Sequence, residues 1–284
     1  MAFATIGRAP ILTRVLSHLS LQTRAPDGVL VVGTCQADVD GASKALAGCE
    51  VLLSQKGLCR QRNVALNHLA GKADVVLFLD DDFVPAQAYL EQVERLMRAD
   101  SGLVGLTGHL LADGAHTSPI AFDNALRLLR RTDGQVSEPS HETTWLYGCN
   151  MAIRTAAVPD LRFDEHLPLY GWQEDVDFSC RLGRHGRMMR AAELTGVHLG
   201  TRSGRISGVR FGYSQVANIV YLRRKQTIGA RHGLGLMARN ITMNLARSLW
   251  SEPEIDRLGR LKGNALALAD VLRGTVDPGR IERL

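Results

Sequence analysis

The chain has 284 residues, 45% hydrophobic and 22% charged, with a formal net charge of +5. Those proportions exclude disordered, collagen-like and disulfide-scaffold classes and suit one large α/β domain with an extension. The cysteines (Cys35, Cys49, Cys59, Cys149, Cys180) are odd in number and form no C-x-x-C pair, which speaks against a zinc site or a disulfide framework and for a reducing compartment.

In chain order, Ala2 to Ile6 and Val29 to Val32 read as short buried strands around a helix at Ile11 to Gln22, a βαβ opening. A strand at Val51 to Ser54, a helix at Arg60 to Ala70 and the apolar run Val75 to Leu79 follow. This alternation predicts a largely parallel sheet. Pro85 sits where a first helical residue would, which predicts a helix from Pro85 to Arg98, then a strand from Leu103 to Leu111. Residues 112–144 have no clear period and read as loop with one helix near Asp123 to Arg131. A helix over Asp175 to His185, ended by Gly186, precedes a strand or strand pair over Met188 to His198. After Gly208 the pattern is helical, with breaks at Gly233, Pro253, Gly274 and Pro278. The expected division is a domain at 1–205 and a basic helical extension at 206–284.

The start of the chain lacks a basic segment followed by a continuous apolar one, and no uncharged apolar run approaches about 18 residues. Neither a signal peptide nor a membrane-spanning helix is expected. The expected location is the cytoplasm, or the inner membrane face by peripheral attachment. Between Gly200 and Trp250 there is no acidic residue, while Arg202, Arg205, Arg210, Arg223, Arg224, Lys225, Arg231, Arg239 and Arg247 are basic. That asymmetry implies an anionic partner, a membrane surface or a lipid-diphosphate acceptor, unless it is a solvated helix face. Aromatic residues are too sparse there for a nucleic-acid partner.

Asp80-Asp81-Asp82 follows the apolar run Val75 to Leu79. In parallel sheets ligands bind beyond the carboxyl ends of strands. Side chains two apart share a face of extended chain, so Asp80 and Asp82 can meet in one site while Asp81 points away. Two carboxylates roughly 4 Å apart repel by about 4 kcal/mol at an effective dielectric near 20, so they need solvent or a cation. Oxygen ligands of this kind suit Mn²⁺ or Mg²⁺. Equally, the three acids can cap the helix expected at Pro85. Further along, Tyr170-Gly171-Trp172-Gln173 leads into Glu174-Asp175, an acid pair beside aromatic residues. Asp175 can serve as a general base toward a sugar hydroxyl, or merely as an N-terminal helix acid. His198 closes a strand-like segment and can be a metal ligand or a structural histidine.

This order of motifs resembles the family 2 glycosyltransferases over about residues 3–200. The resemblance lies in Thr5-Ile6-Gly7-Arg8, Gly57 with Arg62-Asn63, Leu79 to Asp82, and Gly148 to Ala152. It continues through Phe163-Asp164-Glu165, Tyr170-Gly171, Glu174-Asp175, Asp177, Arg181-Leu182, Gly186 and His198. It implies a GT-A fold, a Rossmann-like, mostly parallel sheet flanked by helices. It also implies an inverting transfer from a nucleotide sugar, a UDP-sugar being favoured, to a glycan or lipid-diphosphate-linked acceptor. Thr5, Arg8, Gly57, Arg62, Asn63, Asp80, Asp81, Asn150 and Trp172 would line the nucleotide-sugar site. Asp82, Asp80 and His198 would hold the metal, with Asp175 the base and Glu174 shaping the acceptor site. The family usually has acids after its second strand, where this chain has Gly33-Thr34-Cys35 and acids only at Asp38 and Asp40. The Q-x-x-R-W motif and membrane helices of processive members are not seen, which implies single addition. Competing classes are a sugar nucleotidyltransferase, against which Gly7-Arg8-Ala9-Pro10 offers a single glycine, and a non-catalytic nucleotide-sugar-binding protein.

Overall fold

The computed structural model describes residues 1–115, 117–132, 138–203, 207–249, 252 and 255–284. The chain divides into two compact units: Met1–Lys56, Arg60–Arg162 and Arg181–Gly204 form the first, and Gly57–Cys59, Phe163–Cys180 and Arg205–Leu284 the second. Segments 57–59 and 163–180 thus group with the C-terminal helices.

The first unit is built on a nine-stranded sheet. Its strands are β1 (Ala2–Ala4), β2 (Val29–Gly33), β3 (Cys49–Leu53), β4 (Val75–Asp80), β5 (Phe83–Pro85), β6 (Leu103–Asp113), β7 (His141–Glu142), β8 (Asn150–Arg154) and β9 (Arg187–His198). They lie in the order β3-β2-β1-β4-β8-β6-β9-β5, with β7 also on β9. β3, β2, β1 and β4 are mutually parallel, as are β6 and β9, while β8, β5 and β7 run against their neighbours. The central strand β4 is buried on both faces, which is why its sequence is an unbroken apolar run. Helix α1 (Ala9–Leu19) places Leu12, Val15, Leu16 and Leu19 on one buried stripe, with Pro10 harmless in its first turn. The short α2 (Ala42–Ala45), then α3 (Leu58–Leu69), α4 (Tyr89–Ala99) and α5 (Phe122–Thr132) complete the helices of this part of the chain. The β6–β9 pairing is parallel and irregular, its register shifting between Leu103 and Gly105, between Gly108 and His109, and between Leu110 and Ala112.

Three expectations change. Pro85 closes β5 instead of opening a helix, and α4 begins at Tyr89 with Ala88 as its N-cap. As β5 ends the strand order, a proline there removes no interior ladder bond. The three aspartates therefore do not cap α4. Gly148 to Ala152, read as a loop, runs into β8, whose Met151, Ala152 and Ile153 are fully enclosed between β4 and β6. Within 112–144, β6 extends to Asp113, and His141 and Glu142 add a short strand.

The second unit contains α6 (Glu174–Leu182) as far as Cys180, α7 (Gly208–Arg224), α8 (Ala230–Arg247), α9 (Arg257–Leu272) and a 3-10 turn at Pro278–Arg283. Tyr213, Val216, Ala217, Ala267, Val276 and Ile281 form its core. Helices α7 and α9 meet backbone to backbone: a Cβ on Gly212 would lie 2.0 Å from the Arg260 carbonyl oxygen, and one on Gly263 2.1 Å from that of Val209. Gly233 is buried inside α8 and breaks nothing; the break falls before Ala230, where Gln226 has φ 62°. Gly274, φ 72°, follows α9, and Pro278 opens the 3-10 turn. Pro253 lies outside the described residues.

Candidate active site

β4 delivers Asp80 at its end, and three residues later β5 begins beside β9, with Phe83 opposite His198. The parallel β6–β9 register sets Asp113 opposite the same histidine. Sheet topology thus gathers side chains far apart in sequence. His198 Nε2 lies 3.3 Å from Asp82 Oδ1 and 3.7 Å from Asp80 Oδ2. Its Nδ1 donates to Asp113 Oδ1 at 2.9 Å, and Asp113 Oδ2 accepts from the Tyr147 hydroxyl at 2.8 Å. With Nδ1–H so engaged, the Nε2 lone pair can face a cation. One ligand atom each from Asp80, Asp82 and His198 falls within 4.8 Å of the others.

Asp81 turns the other way. Its carboxylate accepts from Thr5 Oγ1 at 2.7 Å and from Arg8 Nη1 at 2.9 Å. Arg8 continues to the carbonyls of Thr201 (3.0 Å) and Ser203 (2.7 Å). Arg62, buried, donates to Asp80 Oδ1 at 3.2 Å and to the Gly148 carbonyl at 2.7 Å, fixing the angle of Asp80. Asp82 accepts from the Thr201 amide at 2.6 Å through Oδ2, but its buried Oδ1 accepts no hydrogen bond. An enclosed carboxylate oxygen without a donor is costly unless a cation faces it.

Charge tells the same story. Burial raises the Asp80 pKa, against the pull of Arg62 and His198. Burial also works against ionisation of Asp82, but the charge of nearby His198, then that of Arg8 and the Thr201 amide, hold the carboxyl well below its ordinary value. For His198, burial opposes the cation, yet the carboxylates of Asp113, Asp82 and Asp80 push it up to about 10. Asp80, Asp81, Asp82 and Asp113 together outnumber Arg8, Arg62 and an imidazolium by one charge. A divalent cation beside neutral His198 would close that balance, so the residues fit a metal on charge, on geometry and on the open Asp82 oxygen. Two carboxylates and an imidazole suit Mn²⁺ better than the oxygen-only preference of Mg²⁺.

In the second unit, α6 opens with Glu174, buried, and Asp175, half-buried. The approach to it is strained: Leu169 and Gln173 have φ of 57° and 72°, with Gly171 at 64° between them. Such non-glycine conformations cost about 1–3 kcal/mol each and persist where surroundings over-determine them. Here the Leu58 amide holds the Leu169 carbonyl at 2.8 Å, and the Glu174 amide holds that of Gly171 at 2.7 Å. Asp175 Oδ1 accepts from the Val176 amide at 2.9 Å. The Trp172 carbonyl accepts from Asn218 Nδ2 at 2.8 Å, and its ring meets Phe211 edge-on at 6.1 Å.

The profile of Glycosyl transferase family group 2 matches residues 75–253, well over half of the chain. The chain belongs to this family of glycosyl transferases. Comparison with curated proteins finds no match. Among solved structures, TarS 1-349 of S. aureus in complex with UDP-GlcNAc is similar at a TM-score of 0.57 and 18% identity, over 100% of this chain and 82% of that one. The mannosyltransferase PcManGT of Pyrobaculum calidifontis, in complex with GDP-Man and Mn²⁺, is similar at 0.53 and 15%, over 99% and 83%. GalNAc-T7 with UDP, GalNAc and Mn²⁺ is similar at 0.52 and 13%, over 69% and 42%. At these identities the likeness is one of fold, and it is the GT-A fold. The match to the family reaches 253, into the helical part that the motif resemblance, ending near 200, leaves out.

Within this glycosyl transferase the sequence-derived residues fall into separate groups. Thr5, Arg8 and Asp81 form one cluster, and Asp80, Asp82 and His198, with Arg62 on Asp80, form the adjoining one, the two meeting where Arg8 comes within 3.7 Å of Asp82. Asn63 is buried on α3, and Gly57 precedes that helix with φ 142°. Asn150, expected beside a sugar, opens β8. It is fully buried, and its Oδ1 is occupied by the Gly108 amide (2.5 Å) and Thr107 Oγ1 (2.8 Å), so it ties β8 to β6. Glu174, Asp175 and Trp172 lie in the second unit. Asp38, which follows the acid-free Gly33-Thr34-Cys35, accepts from the Gly7 amide and from the Thr34 amide and hydroxyl, and so pins the β1 and β2 ends together. Sequence reading missed Asp113 and Tyr147. Asp113 bears the same mark that singled out Asp80, an acid at the carboxyl end of an apolar strand, but that strand was placed two residues too short.

Proposed function

We propose that this glycosyl transferase moves a sugar from a nucleoside-diphosphate sugar, with a UDP-sugar favoured, to a hydroxyl of a glycan or lipid-diphosphate-linked acceptor. The transfer is metal-dependent, inverts the anomeric centre and adds one sugar at a time. The observation that supports this best is the Asp80–Asp82–His198 cluster, with its buried Asp82 oxygen open to a cation. Asp82, Asp80 and His198 would hold Mn²⁺, which when bound offsets the charge that develops on the leaving diphosphate. Arg62 orients Asp80, and Asp113 orients His198. Thr5, Arg8 and Asp81 shape the nucleotide side. Asp175 accepts the proton of the attacking hydroxyl, as an inverting reaction requires of a base. Glu174 and Trp172 shape the acceptor region. Among the described residues no helix is long and apolar enough to cross a membrane, and we place the enzyme in the cytoplasm or at its membrane face.

The test is isothermal titration with Mn²⁺ and then UDP, alongside turnover of a UDP-sugar panel. Mn²⁺ binding that disappears in Asp82→Asn, together with UDP binding only in its presence, is the expected result. Unchanged Mn²⁺ affinity in that variant would remove Asp82 from the site. Asp175→Asn should bind metal and donor normally yet lose turnover; near-normal turnover would assign the base elsewhere.

A further inference from the structure

Helix α8 has 18 residues, of which Gly233 and Asn244 are buried. Met237 and Ile241 lean on the unit's core, but Leu234, Leu245 and, just beyond the helix, Leu249 face outward, the last two at 61% and 80% exposure. Helix α9 buries Gly263, Asn264, Ala267 and Asp270. Along a different face, Leu258, Leu261, Ala265, Leu268 and Leu272 recur at alternating steps of three and four residues, with Leu258 and Leu272 exposed at 68% and 89%. Leu245, Leu249, Leu258 and Leu272, more than half exposed, add little to the folded core. Their repetition on two helices of one unit is an ordered apolar surface of the kind that marks an interaction site.

The borders of these stripes are cationic. Arg231 and Arg239 on α8 and Lys262 on α9 have no acidic partner among the described residues. α8 contains no acid, and Asp270, the one acid of α9, is buried with its carboxylate bonded to Tyr213 and Arg280. Arg247 and Arg257 share Glu252 at 3.5 and 2.9 Å. A groove of about 240 Å³ between α7 and α8 repeats the pattern, with Ile219, Val220, Leu234 and Met237 along it and Arg223 and Arg224 beside them.

We propose that α8 and α9 dock this protein on a lipid bilayer carrying anionic headgroups. The leucines enter the headgroup–acyl boundary, and the arginines and Lys262 pair with lipid phosphates while their stems follow the apolar chains. Charge chooses this occupant over a second copy of the chain. Helix seams between copies are stabilised by opposite charges at their borders, whereas two of these faces would bring basic borders together. The proposal stands apart from the transferase reading, because vesicle binding needs neither donor nor metal.

Flotation of the full chain with vesicles of phosphatidylcholine, alone or mixed with phosphatidylglycerol, tests it. Binding to the mixed vesicles only, weakening with salt, is expected. Removing two charges with Arg231→Gln and Arg239→Gln should lower partitioning about 30-fold, at about 1 kcal/mol per charge. The pairs Leu245→Ser with Leu249→Ser, and Leu258→Ser with Leu272→Ser, should each reduce flotation. Leu21→Ser with Leu53→Ser, exposed leucines of the first unit, should not. Circular dichroism identifies a pair that fails to fold, and the other pair then decides. No binding at low salt, equal binding to neutral vesicles, or unchanged flotation of folded leucine variants would each overturn the proposal. So would a leucine variant that flotes normally while light scattering shows a dimer becoming a monomer, which would assign the face to a second copy.

Discussion

At the scale of single residues, the arrangement around His198 depends on Asp113. The carboxylate fixes the ring by accepting from Nδ1, and it is itself held by the Tyr147 hydroxyl and by the Ala115 amide at 2.9 Å. Partners of this kind typically govern metal affinity by ten- to a hundredfold. Asp113→Asn should therefore weaken Mn²⁺ binding by about that factor in a titration followed by electron paramagnetic resonance, with the circular dichroism unchanged. Tyr147→Phe, which leaves the Asp113–His198 bond, should cost less. Asp80 and Asp82 were legible in the sequence because strand periodicity sets them on one face. Asp113 was not, because its place beside His198 depends on an irregular register between strands that are far apart in the chain. The opposite facing of Asp81 was also readable from that periodicity, but its grip on Arg8 and Thr5 was not.

At the scale of elements, α7 and α9 cross where Gly212 and Gly263 allow their backbones to touch. Gly212→Val places a branched side chain where the Arg260 carbonyl now lies. It should destabilise the second unit by at least the ~1–3 kcal/mol typical of overpacking, seen as a lowered melting midpoint. Segment 163–180 is tied to α7 by the Asp164 carboxylate, which accepts from Lys225 and from the Tyr221 hydroxyl. Burial opposes its charge, but those two donors lower its pKa from 3.8 to about 2. A carboxyl with a lowered folded value stabilises the fold above its unfolded value and loses that contribution as the pH falls through the folded one. The melting midpoint should thus drop between about pH 4 and pH 2 more steeply for the parent chain than for Asp164→Asn. Most helices and the parallel strands were readable from periodicity. β5 and β8 were not: a proline and a glycine-rich start look local, whereas their strand pairing is decided by distant β9, β4 and β6.

For the whole molecule, two units joined by interleaved segments cannot be read from composition, because the segment at 163–180 has no linker-like boundary and looks continuous with its flanks. The family was legible, since it rests on the order of short motifs rather than on any one. UDP with Mn²⁺ at about 100 times its dissociation constant should stabilise the fold by about 2.7 kcal/mol, and EDTA should remove the effect. A differential scanning experiment in which UDP alone gave the full shift would count against a metal-bridged diphosphate.

The uneven β6–β9 ladder has an evolutionary corollary. Its three register breaks lie between Leu103 and Ala112, upstream of the Asp113–His198 pair. A relative that gains or loses a residue in that stretch can take up the difference in a bulge, so length variation there is compatible with an intact site. A one-residue change between Ala112 and Asp113 has no such slack and would turn the acid to the opposite face of the sheet. Relatives that keep the histidine should therefore tolerate indels in the first part of this strand and exclude them at its end.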